Sequence, residues 1–204
     1  MSSFFEPQKE LKFDNTQPHT VVVLGPPRSG TSMVAGILRI LGIYMGQCNV
    51  KNHEDPRFNQ KQSIDLIRAL ITSNNANFPI WGWKEPSTHR YWDKVEDVVR
   101  NPYFIGVYRN ILSSAASKLK HTGSADLLSM PGSIAAHYQK ISALMMKPEI
   151  PCLFINYDEV LSDPVELAKF LSLRLKGQAL EESMAERIAL FCAPGVYKSI
   201  EEFL

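Results

Sequence analysis

The segment Gly25-Pro26-Pro27-Arg28-Ser29-Gly30-Thr31-Ser32 constrains this chain more than any other. It follows a continuous β-branched run, Thr20-Val21-Val22-Val23-Leu24, of the kind that forms a strand buried on both faces. After it, Met33, Val34, Ile37, Leu38 and Leu41 recur on one helical face, with Gly42 as a stop. A glycine-rich turn from a buried strand into a helix aims backbone N–H groups and the positive helix start into one cavity, which suits a phosphate-like anion. Ser29, Thr31 and Ser32 add hydroxyl donors, and Arg28 adds a fixed positive charge. Without those additions, the same turn would serve simply as a tight connection.

The rest of the chain alternates in the same way. Strands are predicted at Ile80–Lys84, Tyr103–Tyr108 and Cys152–Asn156. Helices are predicted around Ile64–Ile71, 89–100, 110–120, Ile134–Met145, from Pro164 onward and Leu180–Phe191. Asp163-Pro164-Val165-Glu166 supplies a cap, a first-position proline and an acidic third residue. Alternation predicts an α/β three-layer sandwich, a parallel sheet flanked by helices in the P-loop NTPase-like manner. Ligands of such sheets bind at the carboxyl ends of the strands. A polar leader, 1–19, precedes a single expected domain, 20–204.

The turn is close to the nucleotide loop GxxxxGK[ST], but Thr31 stands where that loop needs its lysine. No apolar strand ends in the aspartate that would hold magnesium; the strand ends are Lys84, Arg109 and Asn156. A P-loop kinase is therefore disfavoured. With 22 Lys and Arg against 21 Asp and Glu, bulk electrostatic binding of nucleic acid is not expected. The three cysteines, Cys48, Cys152 and Cys192, lack metal-ligand spacing, so no metal is expected. No apolar run reaches the ~20 residues of a membrane span, and the start lacks signal-peptide character. The expectation is a cytoplasmic protein.

Pro27-Arg28-Ser29-Gly30-Thr31-Ser32 resembles the 5′-phosphosulfate loop of sulfotransferases that use 3′-phosphoadenylyl sulfate (PAPS). Val107-Tyr108-Arg109-Asn110, with Ser117 eight residues after Arg109, resembles the family's second element, which holds the 3′-phosphate. Trp81-Gly82-Trp83-Lys84-Glu85-Pro86 resembles its WGxKxP-type strand end. Asn156-Tyr157-Asp158-Glu159-Val160-Leu161, followed by Asp163-Pro164 and Phe170-Leu171, resembles its late segment. The likeness runs in order from about 20 to 175.

The resemblance implies transfer of a sulfuryl group from PAPS to an acceptor hydroxyl or amine, leaving 3′-phosphoadenosine 5′-phosphate (PAP). It implies cofactor contacts from Pro27 to Ser32 and from Arg109 and Ser117. Sulfuryl transfer without metal needs cationic stabilisers, and Arg28 and Lys84 are the candidates. Glu54, or alternatively His53 with its near-neutral unperturbed pKa, is the candidate base. Asp55 is expected to cap a helix at Pro56. A small-molecule or carbohydrate acceptor is expected. His89, His121 and His137 read as filler, and Trp81, Trp83 and Trp92 as core. Lys118, Lys120 and Lys198 are candidates for added charge near the 3′-phosphate. The family's late basic Arg-Lys-Gly-type loop has only Lys176-Gly177 as a counterpart. That shortfall keeps a second reading open, a nucleotide-binding module without catalysis.

Overall fold

The computed structural model describes residues 3–7, 13–122, 129–194 and 199–204; for residues 121 and 122 it describes the backbone alone. Five strands form one sheet in the order β1-β5-β4-β2-β3. They are β1 (Phe4–Phe5), β2 (His19–Leu24), β3 (Ile80–Lys84), β4 (Pro102–Tyr108) and β5 (Cys152–Asn156). Strands β2 to β5 are parallel. Seven α-helices are described: α1 (Thr31–Ile40), α2 (Ile64–Asn77), α3 (Ile111–Thr122), α4 (Met130–Met145), α5 (Tyr157–Val160), α6 (Pro164–Lys176) and α7 (Glu182–Cys192).

The two faces of the sheet follow from the period of two along each strand. Val21 and Val23 of β2, with Tyr103, Ile105 and Val107 of β4, pack with residues of α1, α6 and α7, including Ile37, Leu38, Leu171 and Ile188. The alternate residues Val22, Leu24 and Phe104 face the other way, onto Phe58, Ile67, Ile71 and Ile141. Every residue of β2 is buried, as its unbroken apolar run requires. Helix start signals also act as read: Asp163 Oδ1 accepts from the Glu166 N–H at 3.0 Å, and Asp55 Oδ1 accepts from the Arg57 N–H at 3.0 Å.

Two expectations are corrected. Between 88 and 98 there is no α-helix but three successive 3-10 turns, Thr88–Arg90, Trp92–Lys94 and Glu96–Val98. Trp92 and Val95 are buried there with Tyr91, and a run of short turns seats them where one straight helix would present only a stripe. The sheet is not wholly parallel, because β1 joins β5 antiparallel, pairing Phe4 with Ile155. The leader is therefore partly built into the fold. Glu6 accepts from the Tyr103 hydroxyl at 2.5 Å and from Arg174 Nε at 2.7 Å. Finally, Lys176 donates to the Leu41 carbonyl at 2.8 Å beyond the end of α1, and Gly177 closes α6 in a left-handed conformation, φ 66°. That pair thus serves two helix ends.

Replacing Glu6 by alanine strands a buried phenol and a half-buried guanidinium. The expected cost is about 1–3 kcal/mol, read as a lower urea midpoint. An unchanged midpoint would mean the leader does not stabilise the sheet.

Candidate functional site

The strand order places the site. Chain order runs from β2 out to β3, then back past β2 to β4 and on to β5. A crevice therefore opens at the carboxyl ends where the direction switches. A pocket of about 590 Å³ lies there. All four parallel strands supply its wall: Pro27 to Ser32 after β2 (Ser29 apart), Lys84 at the end of β3, Arg109 and Ser117 after β4, and Tyr157 after β5. The loop before α2 adds Asn52, His53 and Glu54, and α7 adds Phe191 and Cys192.

The glycine-rich turn begins as a tight loop, with the Ser29 N–H donating to the Pro26 carbonyl at 3.1 Å. Arg28 holds φ 73°, a region costly for a residue with a side chain, and Gly30 holds φ 100°. A Cβ on Gly30 would sit 2.0 Å from the Tyr157 ring, so only glycine fits between this turn and β5. The Gly30, Thr31 and Ser32 N–H groups have no protein acceptor among the described residues, as befits the start of α1. The turn is thus an N–H cradle opening into the pocket.

Hydroxyl placement differs from expectation. Ser29 Oγ is buried without a partner, and a Cβ on Gly25 would lie 2.5 Å from it, so it points beneath the turn. Ser32 Oγ donates to the Asn52 carbonyl at 3.1 Å, tying the turn to the 49–54 loop. Both serines serve the loop's shape, while Thr31 lines the pocket beside the main-chain donors.

The cations meet as expected, each restrained by a neighbour. Arg28 Nε donates to Ser117 Oγ at 3.1 Å. Arg109 Nη1 reaches the Arg28 carbonyl at 3.4 Å, and its Nε donates to Asp158 Oδ1 at 3.2 Å. The Arg109 guanidinium also lies over the Tyr157 ring, 5.0 Å from its centre. Asp158, partly exposed, also accepts from the Asn110 N–H, so it orients the start of α3 as well as Arg109. Such a half-exposed pair is worth about 0–1 kcal/mol, little enough for an incoming anion to displace.

Lys84 is the most buried charge in the pocket, its side chain 4% exposed. Its ammonium donates to Glu54 Oε1 at 2.5 Å and to the Asn52 carbonyl at 3.0 Å. Burial lowers its pKa, and the Glu54 carboxylate opposes that shift. Behind Lys84, Trp83 stacks on Phe58 with ring centres 4.8 Å apart and planes 3° apart. Trp81, Trp83 and Trp92 are all core, and their indole N–H groups are satisfied by Asn75, Thr88 and Glu96.

His53, the alternative candidate base, lies deeper than its neighbours in the loop. Its ring is buried, and burial, together with Arg39 and Lys84, pushes its pKa down to about 4. Its ring is thus neutral near pH 7. Glu54, the other candidate base, lines the same pocket paired with Lys84. Tyr157, Phe191 and Asn52 belong to the site and were not identified as site residues from sequence. The signals for them were indirect: Tyr157 falls within the late-segment resemblance, and Asn52 directly precedes the candidate bases His53 and Glu54.

Other candidates lie elsewhere. His89 Nδ1 and His137 Nε2 both contact the Pro86 carbonyl, at 3.2 and 2.9 Å, and do not line the pocket. Lys118 and Lys120 lie on α3 outside the pocket lining. The His121 side chain and Lys198 are outside the described residues. No group of three or more His, Cys, Asp or Glu able to hold a metal occurs among the described residues. No helix there is long and apolar enough to cross a membrane.

Solved structures share this fold. The mouse sulfotransferase SULT7A1 complexed with PAP aligns at TM-score 0.56 and 16% identity, over 87% of this chain and 64% of that one. The sulfotransferase domain of the Synechococcus PCC 7002 olefin synthase aligns at 0.55 and 14%, over 94% and 88%. Retinol dehydratase in complex with androsterone and the inactive cofactor PAP aligns at 0.50 and 15%, over 87% and 65%. The fold is that of the sulfotransferases. This chain spans just under two-thirds of the length of retinol dehydratase and the mouse enzyme. No family model and no curated protein matches the sequence.

The buried and half-buried imidazoles predict acid sensitivity. His53 and His89 are both pushed down to about 4, chiefly by burial, and His19 and His137 are lowered too. Between pH 6.5 and 4 the unfolded chain binds protons that the folded chain refuses, so stability falls as pH falls. Glu85, raised by burial, works in the opposite direction. From pH 7 to pH 5, His53 alone is expected to remove about 2 kcal/mol. Urea unfolding at both pH values checks this, and equal midpoints would contradict it.

Proposed function

We propose that this chain is a PAPS-dependent sulfotransferase that moves a sulfuryl group to an acceptor hydroxyl or amine by in-line displacement, with residues 20–204 working as one domain. The observation that carries this reading is the meeting of Arg28, Lys84 and Arg109 around an N–H cradle whose loop has Thr31 in place of a lysine. The likeness to PAP-bound sulfotransferases supports it.

The residues fit the group. The cradle at Gly30, Thr31 and Ser32 suits a 5′-phosphate, since those N–H groups lack protein acceptors among the described residues. Arg109, which lines the pocket together with Ser117, suits a 3′-phosphate through a planar fork of donors. Tyr157 presents a flat ring at the edge of both. Bound PAPS would supply a sulfuryl group already joined to a good leaving phosphate.

The chain's own part is charge and position. Lys84 and Arg28 hold positive charge where negative charge grows on the transferring and leaving oxygens. One such stabiliser is worth on the order of 10²–10³ in rate. Glu54 takes the acceptor's proton, and its pairing with Lys84 keeps the carboxylate and the ammonium oriented together. Met33, Leu161 and Phe191 form an apolar side to the pocket, consistent with a small-molecule or carbohydrate acceptor that offers a hydrophobic surface.

Titration calorimetry with PAP, together with transfer of labelled sulfate from PAPS to an acceptor panel, tests this reading. PAP is expected to bind without magnesium, and Arg109→Ala to weaken it about tenfold or more, the loss of a charge-assisted contact. Absence of binding would overturn the proposal. Binding with no transfer to any acceptor would favour a nucleotide-binding module.

A further inference from the structure

We infer that His53 acts in the pocket as a neutral hydrogen-bond donor to the oxygens of the transferring group, and that Arg39 is the positioning residue that sets this role. The inference rests on the sulfotransferase reading for its ligand, but not for its geometry. Arg39, in the last turn of α1, places Nη1 3.3 Å from His53 Nδ1. A guanidinium donates and never accepts. Nδ1 must therefore offer its lone pair, and the imidazole proton sits on Nε2.

The rest of the ring's surroundings agree. His53 Nε2 has no partner among the described residues, yet it is not one of the sealed, unsatisfied buried atoms, unlike Nε2 of His19. Because the residue as a whole is only 2% exposed and lines the pocket, that small opening faces the pocket. Phe191 meets the ring edge-on at 6.0 Å. The backbone is held at φ 55°, with the His53 N–H donating to the Asn49 carbonyl at 2.9 Å. The charged groups around it are Arg39 from α1, Lys84 from β3 and Glu54 from its own loop. Glu54 pairs with Lys84 rather than with His53, and both Arg39 and Lys84 bear on the ring. A base at this position would have to become an imidazolium between those cations. A donor pays no such cost, because the proton stays on Nε2 throughout.

Long-range ¹H–¹⁵N spectra of the full chain at pH 7 test the geometry directly. The expected pattern is a pyrrole-like Nε2 and a pyridine-like Nδ1, unchanged from pH 5 to 9. A proton on Nδ1, or a titration near 6.5, overturns the inference whether or not the protein transfers sulfate. Arg39→Met should release the lock, giving a mixed-tautomer pattern that mere loss of packing would not produce. An unchanged pattern in that variant removes Arg39 from the account.

Kinetics separate donor from base. His53→Met, which removes the donor, should lower kcat by ~10². His53→Gln, which keeps an N–H but cannot act as a base, should stay at least about tenfold above it. Equal loss in both folded variants contradicts the donor role. If PAP does not bind at all, the sulfotransferase reading fails while the spectra still decide the tautomer.

Discussion

A buried ammonium organises this pocket. Lys84 ends an apolar strand with its side chain almost fully covered, and an isolated charge there would cost several kcal/mol. The chain offsets that cost with the Glu54 carboxylate and the Asn52 carbonyl. Both lie on the 49–54 loop, so that loop must cross the mouth of the cradle. Ser32 then anchors it from the cradle side by donating to the same Asn52 carbonyl. The left-handed turn at His53 follows from this docking, with Arg39 and Phe191 closing around the ring. One desolvated charge thus joins β3, the cradle and α1 into a single rigid wall.

The scaffold behind the wall is apolar and stiff. Trp81, Trp83, Phe58 and Trp92 stack beneath β3, and their N–H groups find partners, so the Lys84 end of the strand cannot drift. On the other side, Tyr157 presses against Gly30 and under Arg109. The cationic groups are therefore held before any ligand arrives, the condition under which fixed charges stabilise a transition state most effectively.

Much of this was legible in the residues. The β-branched run of β2, the glycine turn and the aspartate caps are local signals with short-range causes, and they act where they were read. The strand-end cations were legible too, because parallel strands deliver their carboxyl ends to one edge. What was hidden depends on distant partners. Phe4 and Phe5 look like part of a polar leader until β5 offers an edge. The 88–98 segment has helical spacing, yet burying Tyr91, Trp92 and Val95 breaks it into 3-10 turns. The lowered pKa of His53 comes first from burial and then from Arg39 and Lys84, 14 and 31 positions away in sequence, and no window along the chain reveals it. The near-even balance of 22 positive and 21 negative residues likewise concealed three cations converging on one pocket.

The central claim is that the cradle and Arg109 together read two separated phosphates on one nucleotide. Comparing the affinities of PAP, adenosine 5′-monophosphate and ATP, with and without magnesium, tests it most directly. The account predicts that PAP binds at least about tenfold tighter than the monophosphate and owes nothing to magnesium, the difference being the 3′-phosphate contact. Equal affinity for PAP and the monophosphate, or tighter magnesium-dependent binding of ATP, would contradict it.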